Sequence, residues 1–209
     1  MAERLRSRST LTRAETAAET PLSFVPRRVF FTAGTGQHRL ERVALQHAMR
    51  EAGVSQCNLV KVSSILPPET EIISRERGLR LLRPGNIVFA IIAQAQTNEP
   101  HQRITPAIAW ANPDKRGVPG FIAEVEEDLA KGKTEQTAAD QVGEEAIIIL
   151  AESLRVRVDP KRKWSRSRRT IRIGATNVGI GYLAVSAEGP EEEDGRSDFA
   201  AAIVLAVFV

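Results

Sequence analysis

The stretch NLVKVSSILPP, Asn58–Pro68, decides how this chain is read. Its first half is apolar and β-branched and reads as a strand. It runs into two adjacent serines, Ser63 and Ser64, and then into Pro67 and Pro68. Proline has no backbone donor and pushes the residue before it into extended geometry, so the strand ends in a rigid corner. The full run CNLVKVSSIL, Cys57 to Leu66, is therefore expected as one strand. A serine pair just ahead of such a corner has two readings. One is a plain strand end, and the other is a peptide bond held in place for chemistry.

Upstream, RVFFTAG reads as a strand that closes on the loop GTGQ, Gly34–Gln37. In RLERVALQHAMREAG, the residues Leu40, Val43, Ala44, Ala48 and Ala52 recur at helical spacing, and Gly53 stands where a helix C-terminus wants it. Glycines between a strand and a helix can cradle an anion. GTGQ lacks the full dinucleotide fingerprint and the lysine of a P-loop, so a turn is expected there.

Downstream, RPGNIV reads as a turn feeding a strand from Ile87 to Ala95, and TNEP, Thr97–Pro100, as a further turn. RITPAIAWA, interrupted by Pro106, and GFIAEVEE read as strands. Thr134 to Arg157 reads as an amphipathic helix with Val142, Ala146, Ile149, Leu150 and Leu154 on its apolar stripe. RTIRIGATNV, GYLAVSAE and FAAAIVLAVFV return to strand. Many strands with two well-marked helices point to an α+β fold in which helices cover sheet.

The 209 residues fit one domain, and 42% hydrophobic against 26% charged residues is ordinary for a globular protein. Residues 1–25, rich in Arg and Ser, read as a flexible extension outside the core; Glu3, Glu15 and Glu19 argue against a transit peptide. No apolar run is long enough for a membrane helix, and the N-terminus lacks the apolar stretch of a secretory signal. A single cysteine, Cys57, excludes an internal disulfide framework and reads as a buried small residue. The expected compartment is the cytoplasm.

A net charge of +3 does not by itself imply a nucleic-acid partner. The basic segment KRKWSRSRRTIR, Lys161 to Arg172, surrounds Trp164, which could stack on a base. The preferred reading is a solvated loop balanced by the acidic run Glu191–Asp194. His38, His47 and His101 sit in unrelated contexts without metal-ligand spacing, so no metal is expected. Glu124 shares a strand face with Ile122. It is either a solvated side chain or a partly buried acid with a raised pKa suited to proton donation.

Together these stretches resemble the pyruvoyl-dependent arginine decarboxylases. AGVSQCNLVKVSSILPPE, Ala52–Glu69, carries the resemblance, which continues in order through LRPGNIV, TNEPHQRITPAIAWANP, GFIAEVE and the FAAA-containing strand. It covers most of residues 28–209; the N-terminal extension and the basic insertion are less typical. The fold it implies is a four-layer αββα sandwich assembling as a homotrimer, or stacked further into a hexamer, with active sites between neighbouring subunits. In such proenzymes the hydroxyl of the second serine, here Ser64, attacks the carbonyl of Ser63. The resulting ester eliminates, leaving a β chain that ends at Ser63 and an α chain whose first residue becomes a pyruvoyl group.

The resemblance implies that the pyruvoyl group forms a Schiff base with the substrate amine and takes up electrons as carbon dioxide leaves. The substrate would be L-arginine and the product agmatine, in polyamine biosynthesis or acid resistance. Ser64, Glu124 and Asn58 would be catalytic, with Glu124 as general acid, and Asn58, Ser63 and Ile65 would bind substrate. Gln46 falls where the family pattern has an acidic partner for the guanidinium, and glutamine cannot form the charge-assisted pair. Two alternatives remain at this point. One keeps the chemistry on another amino acid; the other is an uncleaved nucleic-acid-binding protein using the Lys161–Arg172 loop.

Overall fold

The computed structural model of the chain describes residues 24–191 and 198–209. Most of the expected extension, and residues 192–194 of the acidic run, lie outside them. In chain order the first elements are β1 (Arg28–His38), α1 (Glu41–Ala52), β2 (Asn58–Lys61), β3 (Ile65–Leu66), β4 (Glu71–Ile72) and α2 (Arg75–Leu79). Next come β5 (Ile87–Thr97), β6 (Arg103–Ile104), β7 (Ala107–Pro113) and β8 (Gly120–Val125), then a short 3-10 turn, Glu127–Ala130. Last come α3 (Glu135–Ser153), α4 (Pro160–Lys163), β9 (Thr170–Ile173), β10 (Thr176–Ala184), β11 (Ala187–Glu188) and β12 (Phe199–Phe208). The protein is thus mixed α+β.

One five-stranded sheet has the order β2-β5-β12-β1-β4 and a second the order β3-β8-β7-β10-β9, while β11 and β6 form a small pair. The continuous apolar run of β12 explains its place. It pairs antiparallel with β1 on one side and β5 on the other, and Ala200 through Phe208 are all buried. A strand covered on both faces reads as an unbroken hydrophobic segment.

Three buried clusters organise the elements. Ala44, Ala48 and Ala52 of α1 pack on Phe30, Ile203 and Leu205 of the first sheet. Val142, Ala146, Ile147 and Leu150 of α3 pack on Ala109, Ala123 and Ile180 of the second. Val29, Ile91 and Val204 from the first sheet meet Leu66, Ile108 and Ile122 from the second in the third cluster.

The expected turn at GTGQ is not a turn. Residues 34–37 continue β1, in register with Ala200 to Ile203 of β12. The glycines serve packing: a Cβ on Gly34 would strike the backbone of α1 at Ala48 and Ala52, and one on Gly36 would strike it at Ala44 and Ala48. Bare glycine backbone facing small alanines brings helix and strand closer than side chains allow. The α1 helix then stops at Gly53, whose left-handed φ of 83° suits glycine.

Helix α3 starts on a reciprocal Thr134–Thr137 cap and ends at Ser153, short of the expected Arg157. Val142, Ala146 and Leu150 face inward as expected, but Ile149 points outward and Ile147 replaces it in the core. Two single-strand expectations split. RTIRIGATNV folds as the hairpin β9–β10 around Gly174, at φ 57°, and CNLVKVSSIL breaks into β2 and β3.

The basic segment is also not simply a solvated loop. Trp164 is only 8% exposed, its ring lies against Gly143 of α3, and its indole N–H donates to Asp140 at 3.0 Å. The aromatic face that could have stacked on a base is an anchor for the core instead. The surrounding lysines and arginines stay at the surface, with Arg166 3.4 Å from Asp140.

These contacts set an expectation for stability. Gly36→Val, which drives a branched side chain into α1, is expected to destabilise the fold by about 1–3 kcal/mol or more. Gly179→Ala, whose Cβ meets only Asn112 O at an ordinary 3.6 Å, should stay within about 0.5 kcal/mol of the parent. Urea unfolding of the two variants reads the difference.

Candidate active site

The break between β2 and β3 is the centre of the site. Strand β2 pairs parallel with β5 in the first sheet, Asn58 opposite Ile87 through Lys61 opposite Ala90. Strand β3 pairs antiparallel with β8 in the second sheet, Ile65 opposite Phe121 and Leu66 opposite Gly120. Between Lys61 and Ile65 the chain therefore crosses from one sheet to the other. The Ser63–Ser64 peptide bond sits in that crossing.

Both ends of the crossing are pinned. Val62 N–H donates to Ala90 O at 3.0 Å, extending the β2 ladder, and Ile122 N–H donates to Ser64 O at 3.0 Å, extending the β3 ladder. Inside it, Ile65 N–H donates to Ser63 O at 2.8 Å, closing a three-residue turn around Ser64. That carbonyl is the one a nucleophile on Ser64 would attack. A backbone donor aimed at it can stabilise the negative charge that attack develops.

Glu124 stands opposite Ser64. It lies on β8, on the face it shares with Ile122, with Ile108 across the ladder on β7. The Ser64 hydroxyl approaches both carboxylate oxygens, at 2.9 and 2.8 Å. Half-buried at the edge of the cluster between the sheets, the carboxyl is pushed above its ordinary value chiefly by burial. The Ser64 hydrogen bond opposes this, the neighbouring Glu126 adds to it, and Lys61 opposes it. Of the two readings left open by the sequence, the partly buried acid is the one observed.

Ser63 and Ile65 face the other way. With Phe24, Pro26, Val62, Pro67, Phe89 and Phe208 they line a largely apolar cavity of about 340 Å³. Asn58 is at the far end of β2, where its amide donates to Gly85 O at 3.2 Å rather than to the serine pair. Gln46, on the outer face of α1, donates to Ser55 O at 3.0 Å. One chain thus brings together Ser63, Ser64, Ile65 and Glu124, and leaves Asn58 and Gln46 elsewhere. The backbone N–H of Ile65 was missed as a functional group, because a main-chain donor leaves no mark on residue type. Pro67 and Pro68, which set the corner, were its only visible sign.

Two other expectations change. His38 and His47 are not in unrelated contexts: their rings meet edge-on, with centroids 5.6 Å apart. His38 Nδ1 accepts from Leu40 N–H at 3.0 Å and His47 Nδ1 lies 3.1 Å from Gln37 O, so the pair closes the β1–α1 corner. Cys57 is half-buried rather than fully buried; burial pushes its thiol up, away from thiolate chemistry. Among the described residues no group of three or more His, Cys, Asp or Glu side chains could hold a metal ion, and no helix is long and apolar enough to cross a membrane.

Comparison with known proteins bears on this geometry. The sequence model described as "Pyruvoyl-dependent arginine decarboxylase (PvlArgDC)" matches residues 28–209. The chain belongs to the pyruvoyl-dependent arginine decarboxylase family. It is 33% identical over 184 residues to the pyruvoyl-dependent arginine decarboxylase of Nitrosopumilus maritimus, covering 88% of this chain and 99% of that protein. It is 40% identical over 147 residues to that of Picrophilus torridus, covering 70% of this chain and 78% of the relative. The enzymes of this family are carboxy-lyases that use a pyruvoyl group.

The raised affinity of Glu124 for its proton has a stability consequence with a definite sign. The folded protein holds that proton to higher pH than the unfolded chain does. The cost of ionising the buried carboxyl is therefore absent below the ordinary carboxylate pKa and fully present above the raised one. Ser64→Ala removes the hydroxyl that opposes burial at Glu124. In that background, adding Glu124→Gln is expected to raise the melting temperature at neutral pH. The two melting temperatures should converge as pH falls through the carboxylate range; equal melting at neutral pH would contradict burial as the main influence.

Proposed function

We propose that this chain is a self-processing, pyruvoyl-dependent decarboxylase that converts L-arginine to agmatine and carbon dioxide. The observation that carries this reading is the Ser64 hydroxyl held 2.8–2.9 Å from the Glu124 carboxylate at the crossing between sheets. Glu124 takes the hydroxyl proton, and Ser64 Oγ attacks the Ser63 carbonyl carbon. Charge gathers on Ser63 O, toward which the Ile65 N–H already points. The bond from Ser63 carbon to Ser64 nitrogen breaks, the nitrogen takes the proton back from Glu124, and an ester joins Ser63 to Ser64 Oγ. Loss of the Ser64 α-proton then expels Ser63 as a carboxylate. Water replaces the nitrogen of the resulting dehydroalanine, which leaves as ammonia.

Residue 64 suits the group this produces. It remains tied to β8 through its own carbonyl, which accepts from Ile122 N–H at 3.0 Å, so losing its bond to Ser63 does not release it. The pyruvoyl group supplies a carbonyl that captures the substrate amine and draws electrons from the breaking carbon–carbon bond. Glu124, whose hold on a proton burial strengthens, returns a proton to the carbon that loses carbon dioxide. Ser63 and Ile65 contribute to the apolar cavity beside it, where a substrate's methylene chain fits.

The three buried clusters support a four-layer order of α1, first sheet, second sheet and α3. A trimer is supported by Val60, Ile65, Ile72, Leu81 and Ile87, apolar side chains exposed on and beside the edge strands β2, β3 and β4. Asn58, on the β2 edge of the first sheet, would then act on a neighbouring subunit's site. A second substrate is favoured by one feature. No carboxylate lines the cavity among the described residues, and Gln46 stands where an acid is expected.

Denaturing intact-mass measurement tests the processing. Two chains split after Ser63 are expected, the longer one lighter by one ammonia than its sequence, and Ser64→Ala is expected to remain whole. Glu124→Gln should slow cleavage by about 10²-fold. A panel of amino acids assayed for released carbon dioxide then tests the substrate; faster turnover of any amino acid other than arginine would reassign it.

A further inference from the structure

An ion pair spans the crossing beside the serine pair. Lys61 ends β2 in the first sheet, and its Nζ lies 2.8 Å from both carboxylate oxygens of Glu126, just past β8 of the second. Glu126 has extended backbone, φ −139° and ψ 170°, so its side chain falls on the same strand face as Glu124. Two carboxylates this near each other disfavour joint ionisation, and a nearby cation favours it.

The surroundings leave few other charges to consider. Strands β5 and β7, which border this space, carry no ionisable side chain. Across the ladder Glu124 meets Ile108, and from the crossing it meets the Ser64 hydroxyl. Beyond Glu126, Glu127 and Asp128 are exposed, and Asp128 is already paired with Lys131 at 2.9 Å. Lys61 and Glu126 are therefore the charges that act on Glu124.

Resting on the proposed role of Glu124, we propose that Lys61 and Glu126 are positioning residues that tune that carboxyl in opposite directions. Lys61 keeps it ionised enough to accept the Ser64 proton, and Glu126 keeps it protonated enough to act later as an acid. The same opposition appears in the influences on Glu124: after burial and the Ser64 bond, Glu126 raises its pKa and Lys61 lowers it. Because the two side chains are 51% and 27% exposed, solvent screens the effect. The expected readout is therefore the direction of each shift, upward from Glu126 and downward from Lys61.

Opposite signs separate tuning from a structural clamp, whose loss would act alike from either side. Precursor made by cell-free translation gives the pH dependence of self-cleavage, which requires ionised Glu124. Processed enzyme gives the alkaline limb of decarboxylation, where Glu124 loses its proton. Lys61→Met should move both toward higher pH, and Glu126→Gln should move both toward lower pH. The double variant should return near the parent, and Lys61→Arg should behave as the parent does. Shifts in the same direction, or none, overturn the inference; if Lys61→Met does not fold, a missing acid shift in Glu126→Gln overturns it alone. Failure of the parent chain to cleave at any pH would instead remove the proposed function beneath it.

Discussion

A peptide bond that joins two sheets cannot relax the way one inside a strand or a loop can. Val62 is fixed to β5 of the first sheet and Ser64 to β8 of the second, so the turn around Ser64 makes the connection between them. Its geometry holds the Ser63 carbonyl against a backbone donor and turns the Ser64 hydroxyl toward Glu124. The two sheets, in turn, are held in register by the cluster of Val29, Ile91 and Val204 against Leu66, Ile108 and Ile122. The same apolar contact that joins the sheets therefore also sets the distance across the site.

Placing a carboxylate at the rim of that cluster uses burial as chemistry. A fully solvated glutamate would be ionised throughout the neutral range and could only accept a proton. Withdrawing it partly from water favours the protonated form, while the serine hydroxyl and a lysine favour the charged one. These influences oppose one another, as the proposed role of Glu124, first base and then acid, requires. The alanine-lined contact of α1 on β1 and the tryptophan under α3 lie far from this chemistry, and they keep the two sheets rigid from outside.

Much of this was legible in the sequence, for identifiable reasons. Helix α1, strands β5, β7 and β8 and the central strand β12 follow from hydrophobic spacing and from proline and glycine punctuation, both local properties. The motif around Ser63 and Ser64, and Glu124 on a strand face with Ile122, marked residues that the fold brings together. What the sequence hid depends on partners distant along the chain. Residues 34–37 look like a loop until α1 is packed on them, and Trp164 looks like surface until Gly143 and Asp140 are brought beneath it. CNLVKVSSIL reads as one strand because its residue types do not change where it passes between sheets.

The central place of β12 carries a consequence for timing. It is the last strand in chain order, yet it separates β5 from β1, and β2 reaches the rest of its sheet only through β5. A ribosome that has already delivered the serine pair, the glutamate and every earlier strand has still not delivered the piece that closes the first sheet. Until β12 slots in, β5 and β1 have no strand between them and the first sheet is incomplete. The proposed cut would leave β1 and β5 on separate fragments, and β12, the strand that joins them, is the last of the described strands to be made.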